Sequence, residues 1–241
     1  MNTKPTIVFV HGAFAESSSW SGVIADLKAE GYPMIAIANP LRGVQYDADY
    51  LLDLLHTIEG PIVLVGHSYG GMVISNAVDG ASNVVALVFV GAFAPEPGES
   101  PAVLSGRFPG GTLGDTLNPV MLSDGNKDLY IQQDKYWRQF VADAPEEQAS
   151  VMAVTQRPIA ELGLVGASNG AAWKDVPSWF IYGELDKNIP AAVHRFMAER
   201  ANARDIIEVE GGSHALTVMN AVAVANVIRD AVNETVLAQS R

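Results

Sequence analysis

Ser68 stands in Gly66-His67-Ser68-Tyr69-Gly70-Gly71, directly after the apolar run Ile62-Val63-Leu64-Val65 and ahead of a short Ala- and Val-containing stretch. Strand, sharp turn and helix in that order hold a serine on a strained bend with its hydroxyl exposed at a helix N-terminus. Such a bend leaves no room for side chains two residues before and after, which is where the glycines fall. A serine hydroxyl is a weak nucleophile at neutral pH. It becomes useful for acyl transfer when an imidazole takes its proton and a carboxylate orients that imidazole.

Five histidines compete for the role of base. His11 and His67 adjoin strand ends and read as hydrogen-bonded scaffold, while His56 and His194 fall within helix patterns and read as surface or satisfied core residues. His214, in Gly211-Gly212-Ser213-His214-Ala215, follows the last strand and precedes the final helix. From there it can reach over the carboxyl edge of a sheet, and the chain order serine, acid, histidine is kept. The acid belongs in the loop after the preceding strand, within Phe180-Ile181-Tyr182-Gly183-Glu184-Leu185-Asp186. Chain order allows Glu184 or Asp186; Asp186 lies at the bend before Lys187-Asn188-Ile189-Pro190, and loop position favours it. Asp175 and Asp205 flank strands instead. The oxyanion of a tetrahedral intermediate needs two amide donors, one after the nucleophile and one from the loop after an early strand. Tyr69 and Ala13 are nominated, with Gly12 letting the backbone turn toward the site.

The elements that must position these groups are visible as a rhythm. Strand-length apolar runs at Thr6–Val10, Met34–Ala38, Ile62–Val65, Val84–Val90, Ser178–Tyr182 and Asp205–Val209 alternate with helix-period segments at Ser18–Glu30, Tyr46–Ile58, Gly71–Val78, Ala191–Ala201 and Thr217–Val236. Unbroken apolar runs suit strands buried on both faces, so the expectation is an α/β fold with a mainly parallel sheet. Gly31, Gly60 and Gly80 are expected to stop the first three helices. Between about residues 95 and 176 the rhythm breaks at repeated prolines and glycines, with helical segments expected near Asp128–Val141 and Glu146–Thr155. This stretch reads as an inserted cap on a single domain spanning 1–241, since long irregular segments in compact domains are usually lids or binding elements. Phe93, Phe108, Leu122, Tyr130, Trp137 and Met152 could line an apolar pocket beneath it or simply pack it onto the core.

Composition narrows the function. The 241 residues carry 15 Lys and Arg against 27 Asp and Glu, a formal charge of −12, with the few cations scattered. Nucleic acid and anionic membranes are therefore poor partners. The absence of cysteine excludes a disulfide framework, a thiolate metal site and a cysteine nucleophile. The run Thr6–Val10 is too short for a signal-peptide core or a bilayer span, and a soluble cytoplasmic protein is expected.

His11-Gly12-Ala13-Phe14, Gly66-His67-Ser68-Tyr69-Gly70-Gly71, Asp186 and His214 together resemble the α/β-hydrolase superfamily over essentially the whole chain. Val8-Phe9-Val10-His11-Gly12-Ala13 with Ser18-Ser19-Trp20 is similar to the branch of small plant and bacterial esterases and hydroxynitrile lyases. The resemblance implies about eight strands, helices on both faces, a helical cap, no cofactor, no metal and a Ser68–His214–Asp186 triad. Hydroxynitrile lyases of this branch carry Thr where this chain has Gly12 and Lys where it has Ala215, and both departures favour ester hydrolysis. The expected substrate is a small-molecule ester or lactone; alternatives are a carbon–carbon bond hydrolase with the same triad and a non-catalytic ligand receptor.

Overall fold

In the computed structural model, which describes residues 4–78 and 81–237, the chain forms strands β1 (Thr6–Val10), β2 (Met34–Ile37), β3 (Ile62–His67), β4 (Val84–Val90), β5 (Leu117–Met121), β6 (Lys127–Ile131), β7 (Ile159–Ala160), β8 (Ser178–Gly183) and β9 (Asp205–Val209). Six of them build one parallel sheet in the order β2-β1-β3-β4-β8-β9. The expected eight strands are six among the described residues, since the strands between β4 and β8 add none to this sheet. The other three pair antiparallel as β5-β6-β7 in a separate small sheet. β5 is largely exposed.

Successive side chains of a strand point to opposite faces, and the core divides accordingly. Ile7, Phe9, Val63, Val65, Val88, Val90 and Trp179 meet α1 (Ser21–Leu27) on one face. Val8, Val10, Leu64, Leu87, Phe89 and Phe180 meet α2 (Val44–Leu55) and α3 (Gly70–Ala77) on the other. Helices α4 (Pro101–Ser105), α5 (Gln133–Phe140), α6 (Glu146–Thr155) and α7 (Glu161–Val165) belong with β5 to β7 to the segment between β4 and β8. After β8, α8 (Ala191–Arg200) joins the α2 face, whereas α9 (Leu216–Met219) and α10 (Ala221–Val232) join α1.

Three element expectations change. Asp128–Val141 is not one helix, since Lys127–Ile131 is β6 and only Gln133–Phe140 is helical. Thr217–Val236 is broken at Asn220 into α9 and α10. Ser18–Glu30 begins and ends in 3₁₀ turns around α1, and Gly31 closes the second with φ 68°. α2 stops at Leu55, five residues before Gly60, and Gly80 lies outside the described residues. Among the described residues no helix is long and apolar enough to cross a membrane.

Candidate active site

The parallel strands all end on one edge, and the loops leaving β1, β3, β8 and β9 there carry the residues singled out above. Ser68 follows β3 directly and adopts φ 54°, a left-handed conformation that a non-glycine residue holds only when its surroundings impose it. Here they do. The Ser68 N–H donates to Val90 O at 3.2 Å, and its carbonyl accepts from Gly71 at 3.0 Å and Phe93 at 3.2 Å. The flanking glycines are fixed by contact: a Cβ on Gly66 would lie 2.9 Å from the Gly70 carbonyl, one on Gly70 2.2 Å from Val10 O, and one on Gly71 2.1 Å from Phe93 O. The tight seat of α3 against β1 and the loop after β4 therefore dictates all three.

His214 and Asp186 are buried together, with His214 Nδ1 2.7 Å from Asp186 Oδ2. An ionised carboxylate only accepts, so Nδ1 carries the proton and Nε2 keeps its lone pair. That Nε2 is buried and makes no hydrogen bond, which is the state of a base ready to receive a proton. Burial alone would raise the Asp186 carboxyl, but attraction to His214 when that ring is protonated and hydrogen bonds from both His194 and His214 outweigh it and hold the group well below the usual carboxylate range. Glu184 points elsewhere: it is exposed and accepts from the Gly211 N–H at 2.9 Å.

Ala13 and Tyr69 line the same cavity as Ser68, and among the described residues their amides enter no backbone hydrogen bond. Gly12 works differently from expectation. It has no positive φ; instead a Cβ there would meet Ser68 Cβ at 2.6 Å and His67 O at 2.8 Å. The residue that makes the turn is Phe14, at φ 61°. Its N–H donates to Arg157 O at 2.9 Å and its carbonyl accepts the Tyr136 hydroxyl at 2.9 Å. Tyr69 is anchored as well: its hydroxyl donates to Asp47 Oδ2 at 2.7 Å. Asp47 is fully buried, accepts from the Arg42 and Gly43 amides, and has its carboxyl raised by burial against those bonds.

The two scaffold histidines behave as neutral brackets. His11 accepts the Asn39 N–H on Nε2 at 3.1 Å and donates from Nδ1 to Gly12 O at 2.9 Å, and burial lowers its basicity. His67 Nε2 donates to the His214 carbonyl at 3.0 Å. Burial, then the neighbouring His214, push the His67 imidazole down to about 3. His56 is exposed. His194 is a satisfied core residue, but its partner is Asp186: Nε2 lies 3.1 Å from Oδ2, the oxygen that His214 also contacts.

A cavity of about 270 Å³ opens over Ser68. Its apolar wall is formed by Phe14, Phe93, Leu113, Leu117, Leu164 and Ile189, and none of the residues lining it is charged. Of the six pocket residues suggested by the sequence only Phe93 is there. Met152 borders a second cavity of about 220 Å³, which is lined also by Phe140 and shares Phe14 with the first. Among the described residues no cluster of three or more His, Asp or Glu side chains is arranged to hold a metal ion.

A parallel sheet whose carboxyl edge presents a strained serine, a buried histidine–carboxylate pair and a second amide loop defines a hydrolase scaffold of one recognisable class. Residues 7–227 match the model of the alpha/beta hydrolase family, and the chain belongs to that family. Alpha/beta hydrolase nvfD of Aspergillus novofumigatus is 27% identical over 256 residues, covering 97% of this chain and 98% of that protein. Methylesterase 2 of Arabidopsis thaliana is 25% identical over 236 residues, covering 88% of this chain and 89% of that protein. The crystal structure of polyneuridine aldehyde esterase superimposes with a TM-score of 0.80 at 17% identity, over 95% of this chain and 99% of that one. At that identity the shared feature is the fold. The relatives place the chain with the esterase and lyase branch that its motifs resemble.

Proposed function

We propose that this alpha/beta hydrolase cleaves carboxylic esters of small or medium, largely apolar molecules through Ser68, His214 and Asp186, by way of an acyl-enzyme. The observation that carries this reading is the site itself: Ser68, held at φ 54°, and the unbonded Ala13 and Tyr69 amides face one uncharged cavity. His214 Nε2 takes the proton of Ser68 Oγ as that oxygen bonds to the ester carbonyl carbon. The amides of Ala13 and Tyr69 receive the negative charge on the carbonyl oxygen, and His214 returns the proton to the departing alcohol. Water repeats the sequence to release the acid, while Asp186 keeps His214 in the tautomer with Nδ1 protonated.

Two further facts support ester hydrolysis. The names of relatives include methylesterases. Position 12 also has no room for the side chain that the lyases of this branch carry, because any Cβ there lies 2.6 Å from Ser68 Cβ. The uncharged cavity disfavours ionic acyl groups, since a buried charge without a partner is strongly penalised.

The test combines fluorophosphonate labelling with turnover of a panel of p-nitrophenyl esters, lactones and diketones, on the wild type and on Ser68→Ala. Labelling at Ser68 and ester turnover lost in the variant are expected. Turnover confined to lactones or diketones would reassign the substrate, and tight binding with neither labelling nor turnover would make the protein a receptor.

A further inference from the structure

Asp186 is an unusually crowded carboxylate. Oδ1 accepts the backbone N–H groups of Asn188 at 2.8 Å and Ile189 at 2.9 Å. Oδ2 accepts His214 Nδ1 at 2.7 Å and His194 Nε2 at 3.1 Å. A carboxylate offers about four lone-pair sites, and here four donors occupy them. Two are main-chain groups and one is the reacting base, so the fourth, His194, is the one side chain whose sole task at this carboxylate can be to hold it.

The rest of the surroundings fix His194 in that task. Its side chain is buried, projecting from α8, and its ring stacks on Tyr182 of β8 with centroids 5.0 Å apart and planes 13° from parallel. The Tyr182 hydroxyl donates to Glu208 of β9 at 3.1 Å, and Glu208 also binds Arg195, the next residue of α8. The titratable groups that surround the imidazole are therefore Asp186, Tyr182 and, one step out, Glu208 and Arg195, with His214 across the shared oxygen. Because the partner of His194 is an acceptor only, Nε2 carries its proton.

We propose that His194 is a positioning residue for the catalytic dyad. It locks the Asp186 carboxylate against rotation and, by sharing Oδ2, moderates how strongly that oxygen draws the His214 Nδ1 proton. This inference rests on the triad reading above. While His214 gains and loses a proton in each turnover, the His194 bond persists, so the carboxylate does not have to reorient between steps. Hydrogen bonds that orient a functional group from behind typically change its performance by ten- to a hundredfold.

Three variants separate positioning from packing. H194F keeps a ring to stack on Tyr182 and removes the donor. H194Q places an amide N–H at the level of imidazole Nε2, and H194N places one only at the level of Nδ1, short of Asp186. Each is measured for kcat and KM on an ester that the wild type turns over, for thermal midpoint, and for the low-field proton resonance of His214 Nδ1–H in the unliganded protein. The expected result is a kcat lower by about ten- to a hundredfold in H194F and H194N with KM little changed, recovery in H194Q, and a resonance that moves in the first two and stays in H194Q. Wild-type kcat and an unmoved resonance in H194F would overturn the proposal. So would an equal fall in H194Q and H194F at equal thermal midpoints, which would make the role one of packing. The resonance is read without turnover, so a protein that hydrolyses no ester would refute the proposed function while still reporting on the His194 bond.

Discussion

The Tyr136 hydroxyl on α5 donates to the carbonyl of Phe14, the residue after the Ala13 amide, at 2.9 Å. Arg157 accepts from the Phe14 N–H, so the segment between β4 and β8 grips the loop after β1 on both sides of a left-handed residue. The same segment holds the opposite flank of the site, where Asp143 accepts the Ser213 hydroxyl at 2.5 Å, one residue before His214. On the proposed mechanism, a segment held this way would also set the angle of the Ala13 amide toward the oxyanion. Y136F is expected to lower kcat by about tenfold with a smaller effect on KM, as one buried acceptor is left without its donor. Steady-state kinetics on an ester checks this, and a thermal melt should show a loss of about 1–2 kcal/mol.

Gly12 lies against Ser68 with no space for a methyl group: a Cβ there would fall 2.6 Å from Ser68 Cβ and 3.1 Å from Ser68 Oγ. G12A is expected to destabilise by about 1–3 kcal/mol through overpacking. It should also cost about 10²–10³ in kcat by separating the Ala13 amide from the serine. Urea unfolding alongside kinetics distinguishes the two effects.

Asp186 and Glu184, two residues apart, part company in the structure: one is buried against two imidazoles and the other is exposed on Gly211. D186N is expected to reduce kcat by about 10⁴-fold, because the amide cannot hold the required histidine tautomer. E184Q should stay close to wild type. Comparable losses in both would undo the assignment of the acid.

His67 gives stability a pH dependence whose sign follows from its neutrality. The folded imidazole is pushed down to about 3, whereas in the unfolded chain it takes up a proton below about 6.5. Between those values the unfolded state binds more protons, so stability falls as pH drops from about 6.5 toward 3, by an amount of order 5 kcal/mol. H67Q retains an N–H for the His214 carbonyl but no titrating ring. Its urea midpoint should vary much less over that window, and an unchanged slope would locate the acid sensitivity elsewhere.

The parts of the site legible in the sequence are those that a strand end fixes locally. Ser68, Ala13 and Tyr69 follow β3 or β1 within three residues, so finding the strand finds the residue, and the structure brings all three to one cavity. Asp186 likewise lies three residues after β8, and His214 five after β9. What stayed hidden depends on side chains meeting across the chain. Helix period leaves His194 open as a surface or a core residue and does not mark it as a partner of Asp186, and nothing near Tyr136 or Asp47 announces Phe14 or Tyr69 as partners. Strand β6 is hidden in the sequence for another reason. Lys127–Ile131 is short, half-polar and runs straight into α5, so its period-two pattern is overwhelmed by the helix that follows.

The bond from His67 Nε2 to the His214 carbonyl joins residues 147 apart in the chain. It ties the neighbour of Ser68 to the last loop of the sheet, which cannot take its place until β8 and β9 have docked. Contacts of such long range close late and slowly, because loop-closure entropy opposes them until much of the fold exists. Recovery of catalysis during refolding is then a clock for the C-terminal third of the molecule, lagging the return of helical signal from the elements that precede it.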